Sequence, residues 1–215
     1  MTEILPATSP KAIKLARHLL REREVVAFPT DTVYGVGANA FERFAVREIF
    51  AVKERSRDKG LPVFIYQIDD LNLVARDVPN QAWPLLQTLW PGALTVVLRK
   101  NSALPDDVTG GQETVAIRIP DHPVSLDLVI QVGHPLAVTS ANLSGQPTPN
   151  TAQGVAAQLG GRIPLILDGG PSPSSQPSSI IDLSVSPPRL LRKGVLEVDA
   201  LREFLPDLED HAHRP

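Results

Sequence analysis

The chain contains 215 residues, 42% of them hydrophobic, and its formal net charge is −3. This length and composition suffice for one domain with a large buried core, while the acidic balance argues against a protein whose whole surface binds nucleic-acid phosphates. The chain has no cysteine, which excludes a disulfide framework and thiol catalysis. It shows no signal-peptide pattern and no apolar run of about 18 residues, so we expect a soluble, cytoplasmic protein without a membrane partner.

Helices and strands are predicted to alternate through the first half of the chain. A proline at position 10 suits the first turn of a helix, and the apolar residues that follow recur at helical spacing. Short apolar runs such as EVVAF and ALTVVLR are typical of buried strands. The predicted order is a helix from 10, a strand at 24–28, a helix at 42–52, a strand at 61–67, a helix at 79–89, a turn at 90–92 and a strand at 93–99.

The segment FPTDTVYGVGAN, residues 28–39, separates the first predicted strand from the next helix. It combines hydroxyls, a carboxylate, a tyrosine and two glycines, a composition too irregular for a helix or a strand. We therefore interpret it as a binding loop. At the end of the helix that follows, the run KERSRDK contains Lys53, Arg55, Arg57 and Lys59, which indicates an anion-binding segment.

The second half of the chain continues the alternation. The predicted order is a strand at 114–119, a helix at 123–132, a strand at 136–140, a polar loop at 141–150, a helix at 151–159, a strand at 163–167, strands at 180–183 and 189–191, and a last helix at 198–205. Residues 168–179, DGGPSPSSQPSS, are rich in glycine, proline and serine. We interpret residues 169–178 as a flap over a site, and a disordered connection is the alternative.

These elements together predict an α/β fold. About seven strands with helices between them form a twisted mixed sheet flanked by helices. No polar linker divides the chain, so a single domain is expected. We expect this domain to span residues 9–205 and residues 206–215 to form a flexible C-terminal tail.

Several familiar sites can be tested against the sequence. GVGANA, residues 35–40, matches a dinucleotide-binding fingerprint, but its glycines lie too far beyond the preceding strand. There is no P-loop and no G-x-S-x-G motif, and the five histidines show no metal-ligand spacing outside the C-terminal end, so no metal site is predicted. Asp106 and Asp107, beside a proline, are interpreted as a solvated turn rather than a catalytic pair.

Basic and hydroxyl side chains remain at the predicted strand ends, where α/β sheets commonly bind ligands. Arg118 and Arg192 each interrupt an apolar strand, so each side chain points either to a sheet edge or into a polar pocket. Ser140 and Asn142 end a buried strand, where capping the next turn and binding a ligand are equally good interpretations. For the cations of KERSRDK, a solvated surface is as good an interpretation as anion binding.

In combination these segments resemble the YrdC-like L-threonylcarbamoyladenylate synthase family, in its short, single-domain form. The matching segments run in order over residues 9–205. They are FPTDTVYGVG, KER followed by DKGLPV, WPGALTVVL, VAIRIPDHP, TSANLSGQP and PPRLLRKG. The resemblance implies a YrdC-like fold.

The resemblance also implies an activity. L-threonine, bicarbonate or CO2, and ATP would give L-threonylcarbamoyladenylate and pyrophosphate, with Mg2+ on the nucleotide phosphates. A separate transferase complex would use the product to form N6-threonylcarbamoyladenosine in tRNA, and the chain itself would bind tRNA at most weakly. This chemistry needs cations, because a carbamate must approach a polyanion, and it needs no side-chain nucleophile.

The resemblance assigns three groups of site residues. The catalytic group, formed by the K-x-R and S-x-N pairs, is Lys53, Arg55, Ser140 and Asn142. The L-threonine site is Thr32, Arg118, Val138 and Ser178. The ATP site is Arg55, Lys59, Thr114, Ser140, Thr148 and Arg192.

Two positions depart from the family pattern. Pro177 stands before Ser178 where longer relatives carry an acidic residue, and Phe64 stands where some relatives carry a histidine or another polar residue in the threonine pocket.

Two other classes of function remain as alternatives. One is an RNA-binding module that uses a basic concave surface without ATP turnover, which the acidic balance disfavours. The other is a catalytically silent homologue that binds a nucleotide and signals to a partner, which the presence of both residue pairs disfavours.

Overall fold

The structure, a computed structural model, describes residues 1–174 and 176–212. The helices in these ranges are α1 (Pro10–Arg21), α2 (Arg43–Lys53), α3 (Leu71–Val74), α4 (Ala82–Leu89), α5 (Asp106–Thr109), α6 (Pro123–Val132), α7 (Ala152–Leu159) and α8 (Val198–Phe204). The strands are β1 (Glu3–Pro6), β2 (Val26–Phe28), β3 (Gly35–Asn39), β4 (Val63–Phe64), β5 (Ala75–Arg76), β6 (Leu94–Lys100), β7 (Thr114–Arg118), β8 (Leu136–Ser140), β9 (Leu165–Asp168), β10 (Ser179–Asp182), β11 (Arg189–Arg192) and β12 (Glu209–Asp210).

The twelve strands of the described ranges belong to one mixed sheet. Its order is β1-β9-β2-β3-β8-β4-β7-β6-β10-β11-β12, and β5 pairs with β6. Parallel pairs such as β1 with β9 and β10 with β6 occur beside antiparallel pairs such as β3 with β8. The predicted α/β fold with a mixed sheet is confirmed, although the sheet has more strands than expected.

The middle of the sheet is buried on both faces. In β9, Leu165 and Leu167 pack in one core with α1 and α6, whereas Ile166 between them packs in the other core. Successive strand residues point to opposite faces, so a strand in the middle of the sheet contributes to both cores. The larger core also takes the buried sides of α2, α4 and α7.

Helices α1 and α6 cover only part of this sheet face. The rest of the face borders a cavity. Val138 and Phe64 belong to the core of this face and also line the cavity. On β6 and β7 the lining residues include Thr95, Ala116 and Arg118, and the residues next to them in sequence pack in the opposite core. This half of the sheet face is therefore free to hold a ligand.

Residues 35–39, expected to be part of a binding loop, form the strand β3. It pairs antiparallel with both β2 and β8. A Cβ atom on Gly35 would lie 2.9 Å from Cγ1 of Val138, and one on Gly37 would lie 3.0 Å from the carbonyl oxygen of Ala137. The glycines therefore mark a close approach between strands and side chains rather than a loop, which corrects the sequence-based interpretation.

The sheet extends beyond both ends of the expected domain. β1 precedes residue 9 and pairs in parallel with β9, with Glu3 opposite Leu165. At the other end, β12 pairs in parallel with β11, and Leu208 is buried. Residues 206–212 are thus packed against the domain, which corrects the expected tail, and residues 213–215 lie outside the described ranges.

Two further expectations need correction. The strand predicted at 61–67 is only two residues long. A 3-10 helix at Ile68–Asp70 and then α3 follow it in the chain. Asp107 was expected in a solvated turn. It lies instead in the helix α5, where its carboxylate accepts hydrogen bonds from Nε of Arg43 (2.8 Å) and Nε of Arg47 (2.5 Å).

Within the described ranges, the helices are too short or too polar for a transmembrane span.

Candidate active site

The cavity on the open half of the sheet has a volume of about 380 Å³. Its walls come mainly from β3, β8, β4, β7, β6, β10 and β11 and from the loops that follow β2 and α2. Its lining contains three arginines, Arg55, Arg118 and Arg192, together with eight hydroxyl-bearing side chains. Among the described residues, no aspartate or glutamate belongs to the lining. This charge distribution suits an anionic ligand.

Arg118, at the end of β7, is 4% exposed and held by three protein groups. Its Nε donates to the carbonyl oxygen of Gly92 at 2.9 Å. Its terminal nitrogens donate to Oγ1 of Thr32 at 2.9 Å and to Oδ2 of Asp31 at 2.6 Å. Burial lowers the pKa of Arg118, and the carboxylate of Asp31 opposes this change. Asp31 thus helps to keep a charge on a guanidinium that is almost fully buried.

These contacts leave Arg118 with unused donors. A guanidinium has five N–H groups, so three contacts leave two, one on each terminal nitrogen. Two such groups can bind both oxygens of a carboxylate or phosphate. The ring of Phe64 lies against the same side chain, with its centroid 5.8 Å from Cζ of Arg118. The protein therefore fixes the position of Arg118 and leaves it able to bind one anion.

Arg192, in β11, is anchored through Ser178. Its Nε donates to the carbonyl oxygen of Ser178 and its Nη2 donates to Oγ of the same residue, both at 3.0 Å. Oγ of Ser178 is also 2.7 Å from Oγ1 of Thr95. Burial lowers the pKa of Arg192 to about 10, and the charge of Arg118 adds to this effect. The buried Arg118 and the partly buried Arg192 therefore lie close enough to repel each other, a repulsion that an anion between them would relieve.

Arg55 contributes the third positive charge, shortly after the end of α2. Its Nη2 donates to the carbonyl oxygen of Gly60 at 3.2 Å, whereas its Nε is buried without a hydrogen-bond partner. Burial lowers the pKa of Arg55 more than Asp58 raises it. A buried donor without a partner costs about 1–3 kcal/mol. A ligand that accepts a hydrogen bond from this nitrogen would remove that cost.

Lys53 lies behind the cavity wall and does not line it. It is 2% exposed, and its Nζ donates to the carbonyl oxygens of Ser140 and Asn142, the latter at 2.5 Å. The amide oxygen of Asn142 lies 3.5 Å from the same nitrogen and accepts a hydrogen bond from Oγ of Ser140 at 2.5 Å. Burial lowers the pKa of Lys53 to about 7, and Arg55 adds to the shift. The K-x-R and S-x-N pairs therefore meet in space.

Residues 18–194 match the model of the Sua5/YciO/YrdC family, whose description is telomere recombination. The chain belongs to this family. The match covers most of the chain, including each wall of the cavity described above. The sequence-based resemblance to YrdC-like proteins is thus confirmed.

Similar curated proteins carry the name threonylcarbamoyl-AMP synthase. Those of Pyrococcus abyssi and Bacillus subtilis are 41% and 47% identical over 93% and 90% of this chain, which spans only 58% and 56% of their lengths. One from Pseudomonas fluorescens is 36% identical over 80% of this chain and 92% of its own length. The crystal structure of P. abyssi Sua5 complexed with L-threonine superposes with a TM-score of 0.95 at 39% identity, over 98% of this chain and 63% of that one.

Eight of the twelve site residues assigned by family resemblance line the cavity. They are Thr32, Arg55, Arg118, Val138, Ser140, Thr148, Ser178 and Arg192. Lys53 and Asn142 lie directly behind Ser140. Lys59 is exposed and Thr114 pairs with Arg99 in the sheet, and neither lines the cavity. The two positions that depart from the family pattern, Phe64 and Pro177, both belong to the lining.

The segment interpreted as a flap, residues 169–178, is fixed at both ends. The hydroxyl of Tyr34 donates to the carbonyl oxygen of Gly170 at 2.7 Å and accepts from the backbone N–H of Gly169 at 3.1 Å. Ser178 is held by Arg192 at the other end. Burial raises the pKa of Tyr34, so its phenol keeps its proton near neutral pH. Residue 175 lies outside the described ranges.

Three residues that hold the site of this protein in place were not predicted from the sequence. They are Asp31, which pairs with Arg118, Thr95, which contacts Ser178, and Tyr34, which holds the start of the 169–178 segment. Thr95 had a signal, because it is the polar interruption of the apolar strand ALTVVL. The other two lie in the PTDTVYG segment, whose composition indicates binding without showing which side chains contact the arginines.

The described lining of the cavity contains no carboxylate or imidazole that could ligate magnesium. Among the described residues, no group of three or more histidine, aspartate or glutamate side chains is placed to hold a metal ion. The nearest carboxylate to Arg118, that of Asp31, uses one oxygen for the guanidinium. Magnesium prefers oxygen ligands and is commonly carried by phosphates with one or two carboxylates. The other oxygen of Asp31 is buried without a hydrogen-bond partner. The described side chains therefore form no Mg2+ cage of their own, and Asp31 would be the carboxylate available to a Mg2+ that phosphates carry.

Proposed function

We propose that this chain synthesises L-threonylcarbamoyl-AMP from L-threonine, bicarbonate or CO2, and ATP, with release of pyrophosphate. The observation that carries the proposal is that Arg55, Arg118 and Arg192 line one cavity that contains no carboxylate among its described lining. Similarity to threonylcarbamoyl-AMP synthases over at least 90% of this chain supports the assignment. The chain spans little more than half of those two relatives, so its activity without their additional residues is part of the proposal.

We propose that L-threonine binds beside Arg118. The two N–H groups that the protein leaves unused on Arg118 would bind the threonine carboxylate. The hydroxyls of Thr32 and Ser178 would hydrogen-bond its polar groups, and Val138 with Phe64 would supply an apolar wall for its methyl group. The L-threonine complex of P. abyssi Sua5 supports a threonine site in this fold.

We propose that ATP binds at the other side of the cavity. Arg55 and Arg192 would contact its phosphates, and the buried Nε of Arg55 would gain the acceptor it lacks. Ser140 and Thr148 would line the nucleotide. Lys59 and Thr114 lie outside the cavity lining, so we propose that they contact only the parts of ATP that extend beyond it. Mg2+ would enter with ATP and neutralise phosphate charge, since the protein itself offers no cluster of metal ligands among its described residues.

The arrangement suits an in-line transfer without a covalent enzyme intermediate. The amino group of threonine adds to CO2 and loses a proton, which gives a carbamate. A carbamate oxygen then forms a bond to the α-phosphorus, the bond from that phosphorus to the bridging oxygen breaks, and pyrophosphate leaves with the electron pair. Both reactants are anions, so fixed arginines lower the repulsion between them and stabilise the transition state. Of the K-x-R and S-x-N residues, Arg55 and Ser140 line the cavity and would act at this centre, while Lys53 and Asn142 would act through Ser140.

We further propose that the product passes to a separate tRNA-modifying transferase in the cytoplasm. The net charge of the chain is negative, and Arg55, Arg118 and Arg192 face a cavity too small for an anticodon loop. Contacts with tRNA would be few and would weaken with salt. Formation of N6-threonylcarbamoyladenosine by the purified chain alone with tRNA, measured by nucleoside mass spectrometry, would contradict this division of labour. The RNA-binding alternative is less well supported, because Arg55, Arg118 and Arg192 line a cavity of about 380 Å³ rather than an extended groove.

The proposed function is tested by pyrophosphate release from ATP with one co-substrate omitted at a time. We expect release that requires both L-threonine and bicarbonate, because neither alone completes the attacking carbamate. Release that is indifferent to threonine would indicate a simple ATP hydrolase and would overturn the proposal. A heat-inactivated sample serves as the control for non-enzymatic release.

A further inference from the structure

Each N–H group of the Lys53 ammonium has a protein oxygen nearby. An ammonium has three N–H groups, and three acceptors surround Nζ: the carbonyl oxygens of Ser140 and Asn142 and the amide oxygen of Asn142. The side chain is almost fully buried and does not line the cavity. Because Nζ is buried behind the cavity wall, a phosphate could reach this ammonium only if residues of the wall moved. Lys53 therefore differs from Arg55, whose Nε has no partner.

Both ends of Lys53 bind the same segment. Its carbonyl oxygen accepts from the backbone N–H of Ser144 at 2.9 Å, while its Nζ binds residues 140 and 142. One lysine thus bridges the first and the last residue of the run 140–144. Loss of the ammonium would leave the buried carbonyl oxygen of Asn142 and the partly buried one of Ser140 without this donor, and a buried group left unpaired costs about 1–3 kcal/mol.

The contacts of Asn142 fix the orientation of its amide. Its Nδ2 donates to the carbonyl oxygens of Leu143 and Gln146, both at 2.8 Å, so its oxygen must face Lys53 and Ser140. The hydroxyl of Ser140 donates its proton to this oxygen. Oγ of Ser140 consequently presents lone pairs rather than a proton to the cavity. A ligand group that carries an N–H or O–H is therefore the matching partner for Ser140.

We propose that Lys53 is a positioning residue, which shapes residues 140–142 so that Ser140 faces the cavity, and that it binds no phosphate itself. This inference rests on the proposed function, because it concerns the site of that reaction. It assigns the phosphate contacts to Arg55 and Arg192 alone, and it makes Lys53 and Asn142 a support for Ser140. The division follows from which donors the structure leaves unused.

The first test compares Lys53→Met with the wild type. Methionine keeps the length and apolar stem of lysine but removes the ammonium. We expect kcat to fall by about 100-fold, the effect of a displacement of roughly 1 Å in a catalytic group, while the Kd for ATP from calorimetry changes little. A large rise in the Kd for ATP would mean that Lys53 binds phosphate, which would overturn the proposal. Lys11→Met, which removes an exposed lysine on α1, is the matched control.

A double-mutant cycle with Ser140→Ala separates a positioning role from an independent contact. If Lys53 acts through Ser140, the double variant should lose little more kcat than Ser140→Ala alone. Losses that multiply would show two independent contributions and would contradict the proposal. If Lys53→Met does not fold, Lys53→Gln is measured in the same cycle, because its amide can still donate to one of the two carbonyl oxygens.

The pH profile supplies a readout that a purely structural lysine would not change. Since kcat/KM reports ionisations of the free enzyme, it should fall as pH rises through about 7 in the wild type, when the ammonium loses a proton. This limb should be absent in folded Lys53→Met. The charged neighbour of Lys53 is Arg55, and in the described ranges no carboxylate forms an ion pair with its Nζ. A profile that is the same in both proteins would count against the proposal.

Failure of the proposed function and failure of the positioning role of Lys53 would give different results. If the wild type forms no adenylate at all, the proposed function is wrong, but the comparison of ATP affinities still shows whether Lys53 contacts phosphate. If the wild type is active and Lys53→Met retains full kcat, the proposed function stands and the positioning role is wrong. The melting temperature of each variant, measured beside its activity, shows that the folded fraction is being compared.

Discussion

The two halves of one sheet face show how similar strands come to serve different purposes. Over β9 and β2, the side chains on this face are Leu, Val and Phe residues packed against α1 and α6. Over β6 and β7, the residues on the same face are Thr95, Val97, Ala116 and Arg118, and they line the cavity. A strand facing a helix gains by burying apolar area, whereas a strand facing a ligand must supply fixed polar groups. The covered half should therefore govern stability, and the open half should govern activity.

The largest effect on activity is expected at Arg118. In an Asp31→Asn background, Arg118→Gln should lower kcat/KM for L-threonine by about 10³-fold, since the loss of one partner of a buried charged hydrogen bond costs about 2–5 kcal/mol. The background removes the carboxylate that would otherwise be left buried without its partner. Steady-state kinetics with threonine varied at saturating ATP measure the change.

The Asp31→Asn variant alone is the matched control for this experiment. It retains the guanidinium, so it should keep far more activity than the double variant. Equal kcat/KM values for the two proteins would contradict the claim that the open half governs activity, because Arg118 would then contribute to the sheet without contributing to the reaction.

On the covered half, Leu20→Ala should lower the free energy of unfolding by about 2–5 kcal/mol. Leu20 lies in α1 and is fully buried in the core that this helix forms with the sheet. Denaturant unfolding measures the loss, and kcat per folded molecule should not change. Leu73→Ala, at an exposed position, is the control and should change stability by less than about 0.5 kcal/mol. A stable but inactive Leu20→Ala protein would contradict the separation of the two halves.

Arg55→Ala should show the opposite pattern to Leu20→Ala. Removal of one fixed donor to a transition-state oxyanion costs about 2.7–4 kcal/mol, so turnover should fall by about 10²–10³-fold. Stability should change little, because the lost side chain makes one hydrogen bond and leaves its Nε without a partner. Initial rates of pyrophosphate release and thermal unfolding measure the two quantities. The control is Arg99→Ala, an exposed arginine on β6, and full turnover in a folded Arg55→Ala protein would refute the assignment.

The smallest effect is expected for a change in the substrate. L-serine lacks the methyl group that Val138 and Phe64 would contact, and one such group is worth about 1–3 kcal/mol in a hydrophobic pocket. The ratio of kcat/KM for threonine and serine should therefore lie between about 10 and 200. A ratio of one, or complete rejection of serine, would show that the apolar wall does not face the substrate methyl group.

Much of the fold follows from local sequence patterns. The helices α1 and α6 begin at prolines and carry apolar residues at helical spacing, and the start of α1 and both bounds of α6 were predicted correctly. β3 was missed because its glycines match a loop pattern, and their role depends on Val138, about a hundred positions further along the chain. β1 was missed because a four-residue edge strand has little pattern of its own, and its partner β9 is distant in sequence.

The same limit applies to the candidate site. Family resemblance indicated Arg118, Ser178 and Arg192, which the structure brings to one cavity. It did not indicate that Lys53 lies behind the wall, because a cation-rich segment looks alike whether its side chains reach a ligand or the backbone of a neighbouring loop. That distinction depends on hydrogen-bond partners that are close only in the folded chain.

The most direct measurement of the central claim uses isotopically labelled bicarbonate. The purified chain is incubated with ATP, L-threonine and 13C-bicarbonate, and the nucleotide products are analysed by mass spectrometry at short times. If the open half of the sheet face is a threonylcarbamoyl-AMP synthase site, an adenylate that contains both threonine and the label should form, with pyrophosphate in equal amount. Release of ADP or AMP without a labelled adenylate would contradict the account.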